Sequence, residues 1–334
     1  MGRGFLGHRS ARREGGSPGE LGATSRWDLN FRPALQPGLK PRPTYLSVTD
    51  TSAPFEHVAI AGLGLIGGSI ALGIRERWPA CRITGIDRPS VLSHARSSNA
   101  IDRVAATLGE AGEADLIILA APVRQNRLLL EEAARHAGPG TVITDVGGTK
   151  RDIVAMARAL PRRGAFVGGH PIGGAERGGF GFARPNLFVG RPWIFTPDAD
   201  ADEETVQRLF AFVRALGAEP TTLDADRHDR VMAYVSHLPQ LAATALMQVA
   251  GGGAHADGLR LSGRGLLDTT RLASSPASVW RDICAFNADL ITQALDELIA
   301  ALTALRADLN DDAALETLFA DAARWRSELL KHHE

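Results

Sequence analysis

The stretch HVAIAGLGLIGGSIALGIRERW, residues His57–Trp78, decides the fold of this chain. Its first part is an apolar run typical of a strand buried on both faces, and its last part has the apolar spacing of a helix. Between them, Gly62, Gly64 and Gly67 form a G-x-G-x-x-G pattern, which is weak alone but specific between a strand and a helix. The first glycine permits a tight turn, the second lets a phosphate approach the backbone, and the third lets helix and strand pack closely. The stretch therefore predicts a dinucleotide-binding unit.

The residues around this turn predict which dinucleotide binds. Leu65 and Ile66 open the helix, whose N-terminal N–H groups and positive dipole end suit a pyrophosphate. Asp87 lies 20 residues after Gly67, where the acid that binds the adenosine ribose hydroxyls is expected. Its charge repels a 2′-phosphate, so we predict NAD as the cofactor. Arg88 leaves strict specificity open, because an arginine there stacks on adenine, meets a phosphate or is simply solvated.

The rest of the chain divides into two kinds of pattern. Up to about residue 225, short apolar strands alternate with helical segments, which predicts an α/β fold with a doubly wound, Rossmann-type parallel sheet. Beyond it the pattern is helical, and two segments, residues 226–250 and 278–309, each predict one long helix. We predict a dinucleotide-binding domain over residues 56–225 and an all-α substrate and dimerisation domain over residues 226–330. The apolar surface of these helices favours a homodimer over a monomeric helical cap.

Composition narrows the class of protein. The chain has 334 residues, 44% of them hydrophobic, and a formal net charge of -1, so we predict neither nucleic acid nor a membrane as a partner. Cys81 and Cys284 lack CxxC spacing, which suits a reducing compartment, and we predict a cytoplasmic protein. Residues 1–55 are rich in Arg, Gly, Pro and Ser and predict a disordered extension. A transit peptide or an over-extended gene start are the alternatives for that extension.

A glycine-rich loop carries the chemistry. The stretch VGGHPIGGAERGG, Val167–Gly179, places one His-Pro step among glycines, as is typical where backbone passes close to another group. Together with AAPV, DVGGTK, SHLPQL and DTTRLASSPASVWRDI, it resembles the prephenate and arogenate dehydrogenase family over about residues 57–309. The resemblance implies NAD-dependent oxidative decarboxylation of the small molecule prephenate to 4-hydroxyphenylpyruvate in tyrosine biosynthesis. An arogenate (cyclohexadienyl) dehydrogenase and a non-catalytic NAD-binding protein are the alternatives.

The resemblance also implies roles for individual residues. His170 is the catalytic residue, which accepts the proton of the ring hydroxyl. No metal site is implied, because hydride transfer needs none. The substrate-binding residues are Arg271, which binds a carboxylate, His237, Glu176 and Thr149, and the further cofactor contacts are Ala121, Pro122, Val123 and Gly147.

The chain departs from the family pattern at two positions. Gly148 stands where the family often has a serine beside the catalytic histidine, and Gln240 stands where a histidine is frequent. The first departure removes a hydroxyl, and the second weakens the positive potential around a dianionic substrate. Lys150 either lies near the cofactor, holds its loop or merely starts a helix. His228 and its neighbour Asp229 are predicted to be structural.

Overall fold

One sheet organises most of the protein. The computed structural model describes residues 52–111, 113–161, 164–174 and 177–331, so residues 1–51 of the predicted extension lie outside the described residues. The described strands form an eight-stranded sheet in the order β3-β2-β1-β4-β5-β6-β7-β8. Their bounds are β1 (His57–Ala61), β2 (Arg82–Ile86), β3 (Arg103–Val104), β4 (Leu116–Leu119), β5 (Val142–Asp145), β6 (Ala165–Pro171), β7 (Pro192–Thr196) and β8 (Glu219–Thr222).

The sheet confirms the predicted fold class and adds one antiparallel strand. Neighbouring strands pair in parallel, except that β7 runs antiparallel to β6. The central strands β1, β4 and β5 are buried along their whole length, because parallel strands are covered on both faces. The chain order reverses between β1 and β4, which is where open α/β sheets bind ligands.

The core lies on both faces of this sheet. Side chains alternate along a strand, so Val58 and Ile60 of β1 enter one apolar cluster while Ala59 and Ala61 enter the other. Two helices, α1 (Leu65–Arg77) and α5 (Glu203–Ala215), contribute to the first cluster together with Leu92 and Ala95 of the helix after β2. Two others, α3 (Val123–His136) and α4 (Arg151–Ala159), supply the second. The remaining helix of this part, α2 (Pro89–Ser97), follows β2.

The helical part is more broken than the sequence predicts. The prediction of one long helix is confirmed for residues 226–250, which are helical throughout with one π-helical turn, and is wrong for residues 278–309, which divide at Asn287. A π-helical turn, Ala233–His237, comes before Pro239, which has no N–H to donate to the preceding turn. Asn287 leaves helical geometry with φ -131 and turns its side-chain amide to the carbonyl of Asp229. The helices are α6 (Ala225–Met232), α7 (Leu238–Leu259), α8 (Arg264–Thr270), α9 (Ala277–Phe286), α10 (Ala288–Ala307) and α11 (Asp312–Leu330).

The chain forms two compact units. One holds residues 45–299, which include the sheet and everything described below as a site. The other includes residues 300–334, with the end of α10 and all of α11. The Asp311 carboxylate accepts the Ala314 N–H and so caps α11. Among the described residues, no helix is both long enough and apolar enough to cross a membrane.

Candidate active site

The predicted cofactor residues gather at one edge of the sheet. The strands β1, β2, β4, β5 and β6 run parallel, so their carboxyl ends meet there. The glycine turn follows β1, Asp87 follows β2, Ala121 follows β4 and Gly147 follows β5. His170 is the penultimate residue of β6. This is the edge at which open α/β sheets bind ligands.

The glycine turn leaves room for a pyrophosphate. Gly62 has φ +99, and a Cβ there would lie 2.6 Å from the carbonyl carbon of Ala120. A Cβ on Gly67 would lie 1.9 Å from the carbonyl oxygen of Gly62, so close packing excludes any side chain. At Gly64, in contrast, the space within 4 Å is free of described atoms. Helix α1 begins at the next residue without a side-chain cap, so its first N–H groups are available to an anion.

Asp87, the acidic residue after β2, is hydrogen-bonded to the same turn. One oxygen of Asp87 accepts the Leu63 N–H at 2.6 Å, and the other accepts the Arg88 N–H at 2.6 Å. The Arg88 side chain is 84% exposed and its Nε lies 3.8 Å from Asp87. The carboxylate is therefore fixed by backbone donors at the mouth of the turn, while the guanidinium extends into solvent.

Asn126 shapes the loop after β4, and the sequence did not single it out. Its buried side chain accepts the Ala121 N–H at 3.0 Å and donates to the Leu119 carbonyl at 3.0 Å. Pro122 is the N-cap residue of α3, which begins at Val123. The three predicted cofactor contacts of this loop thus have a fixed backbone.

Lys150 holds two strand ends together. It is fully buried, and its ammonium binds the Asp145 carboxylate and the Gly169 carbonyl, the latter at 2.7 Å. Asp145 also accepts the N–H groups of Gly147, at 2.8 Å, and Gly169, at 3.1 Å. Burial lowers the pKa of Lys150, and the neighbouring Asp145 opposes that shift. Of the three readings of Lys150, the geometry favours the one in which it holds the loop.

His170 faces a cavity of about 320 Å³. Its Nδ1 lies 2.9 Å from Nε2 of His228, while its Nε2 lies 3.8 Å from the position that a Cβ on Gly148 would occupy. Burial, together with the positive charges that His228, Lys150 and His237 carry or acquire, lowers the pKa of His170 well below 6.5. The ring is therefore neutral at pH 7. The cavity is lined by His170, Pro171, Ile172, Gly173, Gly174, Met232, Val235 and Ser236.

His237 lies in the π-helical turn close to this site. Burial lowers its pKa to about 4. Asn287 accepts from the Arg151 guanidinium through Oδ1, so its Nδ2 is the group that faces Nδ1 of His237 at 3.2 Å. An amide nitrogen only donates, so His237 accepts at Nδ1 and carries its proton on Nε2. Trp280 of α9 meets the imidazole edge-on, with ring centroids 6.0 Å apart.

The other predicted substrate residues differ in their exposure to solvent. Arg271 is exposed and begins the 3-10 turn Arg271–Ser274. Gln240 of α7 holds that turn, since its Nε2 donates to the Leu272 carbonyl at 2.7 Å. Thr149 is buried, and its Oγ1 lacks a hydrogen-bond partner within the described part of the chain. Glu176 lies outside the described residues.

The sheet edge, the glycine turn and the neutral histidine define an NAD-dependent dehydrogenase. Two family models match the chain, the nucleotide-binding domain of prephenate dehydrogenase over residues 70–221 and its dimerization domain over residues 224–321. Prephenate dehydrogenase of Bacillus subtilis (strain 168) is 36% identical over 274 residues, which are 79% of this chain and 72% of that protein. The chain belongs to the prephenate dehydrogenase family.

Solved structures agree with this assignment. Prephenate dehydrogenase from A. aeolicus, crystallised with hydroxyphenyl propionate and NAD+, superposes with a TM-score of 0.76 at 27% identity, covering 82% of this chain and 98% of that one. Synechocystis arogenate dehydrogenase gives a TM-score of 0.72 at 27% identity, covering 82% and 99%. The predicted family, the fold class and NAD as the cofactor are thereby confirmed.

Proposed function

We propose that the protein catalyses the NAD+-dependent oxidative decarboxylation of prephenate to 4-hydroxyphenylpyruvate, the dehydrogenase step of tyrosine biosynthesis. One observation carries the proposal: His170, a neutral imidazole, stands beside a cavity at the same sheet edge as the glycine turn. The proton acceptor thus lies at the edge of the sheet where bound NAD+ would accept the hydride.

The proposed cofactor site joins the turn at Gly64 to the loops after β4 and β5. The N–H groups of Leu65 and Ile66 at the uncapped start of α1 would hold the pyrophosphate, and Asp87 would bind the adenosine ribose. The loop of Ala121–Val123 and the backbone at Gly147 would hold the nicotinamide. Bound NAD+ supplies the chemistry of hydride acceptance.

His170 takes the proton of the ring hydroxyl through Nε2. As the hydride leaves the carbon that carries the hydroxyl, the O–H bond gives its proton to the imidazole and a carbonyl forms. The ring carboxylate then leaves as CO2, and its bonding electrons make the ring aromatic. The phenolate oxygen so formed takes the proton back from Nε2, which returns His170 to its neutral state.

The dianionic substrate requires cations and donors. We assign Arg271 to one carboxylate, because a guanidinium matches that group with two parallel N–H donors. The Nε2–H of His237 and the unpaired hydroxyl of Thr149 are the further proposed donors. Glu176 is proposed as a further substrate-binding residue.

Activity assays test the proposal directly. Purified protein with NAD+ and prephenate is expected to produce NADH, and His170→Asn is expected to lower kcat by roughly a hundred- to ten-thousand-fold. His136→Asn, an exposed position at the end of α3, is the control and is expected to keep full activity. Turnover that survives His170→Asn would contradict the proposed role, and absence of turnover in the native protein would leave a non-catalytic NAD-binding protein.

The same assay decides between substrates. A solved structure of an arogenate dehydrogenase matches this chain almost as well as that of a prephenate dehydrogenase, so arogenate is the second candidate. Prephenate is expected to give the higher kcat/KM. A higher value with arogenate would reverse this choice, and comparison of NAD+ with NADP+ tests the preference that Asp87 predicts.

We further propose that the protein is a cytoplasmic homodimer. Apolar side chains on α7, α8 and α9 are largely exposed, among them Val249 at 73%, Leu267 at 64% and Val279 at 54%, and patches of this kind mark interaction surfaces. Val249→Glu is expected to lower the sedimentation coefficient to that of a monomer, whereas Val104→Glu on the sheet edge is not. A native protein that sediments as a monomer would contradict the dimer.

Cys81 and Cys284 are free thiols, which suits the reducing cytoplasm.

A further inference from the structure

Three side chains form a line that ends in His170. Nδ1 of His170 lies 2.9 Å from Nε2 of His228, and Nδ1 of His228 lies 2.8 Å from Oδ1 of Asp229. His228 and Asp229 are fully buried. The line leads away from the cavity, into the junction between α6 and the start of α4.

The far end of the line is an ionised carboxylate. Asp229 accepts the backbone N–H groups of Lys150 at 2.7 Å and Arg151 at 2.9 Å, and the Arg151 Nε lies at 3.4 Å. The hydrogen bonds from His228 and from these backbone groups hold the pKa of Asp229 below its usual value against the opposing effect of burial. An ionised carboxylate only accepts hydrogen bonds.

The direction of each hydrogen bond follows from that charge. His228 must donate through Nδ1 to Asp229, and because burial lowers its pKa it is neutral, so its Nε2 accepts. His170 must therefore donate through Nδ1, and in a neutral ring its Nε2 then carries the lone pair. That nitrogen is the one nearest Gly148, at 3.8 Å from the position of an added Cβ. The order of donors thus leaves an acceptor on the catalytic ring.

We propose that His228 and Asp229 are positioning residues that hold His170 in the tautomer whose Nε2 accepts the substrate proton. The inference rests on the proposed function. When the hydroxyl proton reaches Nε2, the Nδ1–H bond to His228 remains, and the new positive charge is stabilised through His228 by the carboxylate of Asp229. No proton leaves the line, because the phenolate recovers it from Nε2.

The charged surroundings explain why such a line is needed. Lys150 from the start of α4 and His237 from the π-helical turn also bear on His170, and both disfavour a positive charge on it. Asp145 neutralises Lys150 through direct contact. Asp229 supplies the compensating negative charge, which acts on Nδ1 of His170 through the hydrogen bonds of His228.

Two substitutions at one position separate this role from packing. In His228→Gln, the amide oxygen takes the place of Nε2 and accepts from His170, whereas His228→Leu offers no acceptor. We expect His228→Leu to lower kcat by about a hundredfold, the lower end of what general-base catalysis contributes, with KM values for NAD+ and prephenate within about twofold. His228→Gln is expected to recover most of kcat. His57, a buried histidine bonded to Thr84 at 2.9 Å, gives the control pair His57→Gln and His57→Leu, which are expected to leave kcat unchanged.

A spectroscopic measurement keeps the inference testable if a variant fails to fold. Nitrogen-15 NMR of the native full chain with labelled histidine is expected to show His170 at pH 7.5 with a protonated Nδ1 and a bare Nε2. A proton on Nε2, or equal losses of kcat in His228→Gln and His228→Leu, would overturn the inference. The NMR result does not depend on turnover, so failure of the proposed function alone would appear as the expected tautomer in an inactive protein.

Discussion

At the scale of single residues, His170 is a neutral acceptor because it is partly buried and lies among groups that disfavour its charge. His228, Lys150 and His237 face it and, with burial, lower its pKa well below 6.5. A histidine can act as a general base only while it is unprotonated. The pH dependence of the rate therefore reports this environment.

The acid limb of the rate profile is the first prediction. We expect kcat/KM for prephenate to stay level from pH 8 to about pH 6.5, the unperturbed histidine pKa, and to fall only at lower pH. Initial rates in buffers of constant ionic strength measure this. An acid limb centred at or above the unperturbed value would contradict the lowered pKa of His170.

Gly148 is a second test at this scale. A Cβ added there would meet Ile283 at 3.6 Å and His170 at 3.8 Å, which are ordinary contacts. Gly148→Ala is expected to raise the free energy of unfolding by about 0.4–1 kcal/mol, because it restricts the unfolded chain. Urea denaturation measures this change, and a loss of stability would show that the loop conformation excludes a side chain.

The matched variants of that test use other side chains. Gly67→Ala is expected to destabilise, since its Cβ would lie 1.9 Å from a carbonyl oxygen. Gly148→Ser adds to Gly148→Ala only the hydroxyl that the family often has at this position. The ratio of their kcat values therefore gives the effect of that hydroxyl beside His170.

At the scale of elements, α7 positions the turn that carries Arg271. Gln240 donates to the Leu272 carbonyl at 2.7 Å and accepts from the Ser275 hydroxyl at 3.1 Å. The sequence predicted only that a neutral residue here weakens the positive potential. The structure adds that its amide fixes the turn at Leu272 and at Ser275.

Loss of that amide is expected to weaken substrate binding. Gln240→Leu should raise KM for prephenate by about five- to tenfold, the equivalent of the roughly 1–1.4 kcal/mol of a lost hydrogen bond. KM for NAD+ should stay unchanged, because the cofactor loops lie on other elements. Gln248→Leu, at an exposed position of the same helix, is the control. An unchanged KM for prephenate in Gln240→Leu would separate this turn from the substrate site.

Local sequence patterns predicted the helices and strands, and contacts between residues distant in the sequence determined most of the features that were not predicted. The glycine turn, the strand that precedes it and Asp87 follow from spacing within a short stretch, so the sequence revealed them. The antiparallel β7 and the break at Asn287, whose amide donates to the Asp229 carbonyl, depend on tertiary contacts, whereas the π-helical turn has a local cause in Pro239, which lacks an N–H. His228 was predicted to be structural, because the 58 residues that separate it from His170 hide their contact.

At the scale of the whole molecule, buried neutral histidines link stability to pH. His57, His170, His228 and His237 all have a pKa lowered by burial. Between the folded and unfolded pKa values, the unfolded chain binds protons that the folded chain does not. The stabilisation is therefore present above about pH 6.5 and is lost as the pH falls through lower values.

Acid should accordingly lower the resistance to unfolding. We expect the guanidinium midpoint to fall between pH 7 and pH 5, with a weaker pH dependence in His57→Gln. His136→Gln, at an exposed position, is expected to keep the full dependence. A midpoint that is constant or rises on acidification would contradict the buried neutral state of these rings.

The most direct test of the account is a crystal structure of this protein with NAD+ and hydroxyphenyl propionate. We expect the ring hydroxyl of the ligand within about 2.6–3.2 Å of Nε2 of His170, with Nδ1 of His170 still on His228 and the nicotinamide against the ligand ring. A ring hydroxyl that lies beyond hydrogen-bond reach, or a His170 whose Nδ1 faces the ligand, would contradict it.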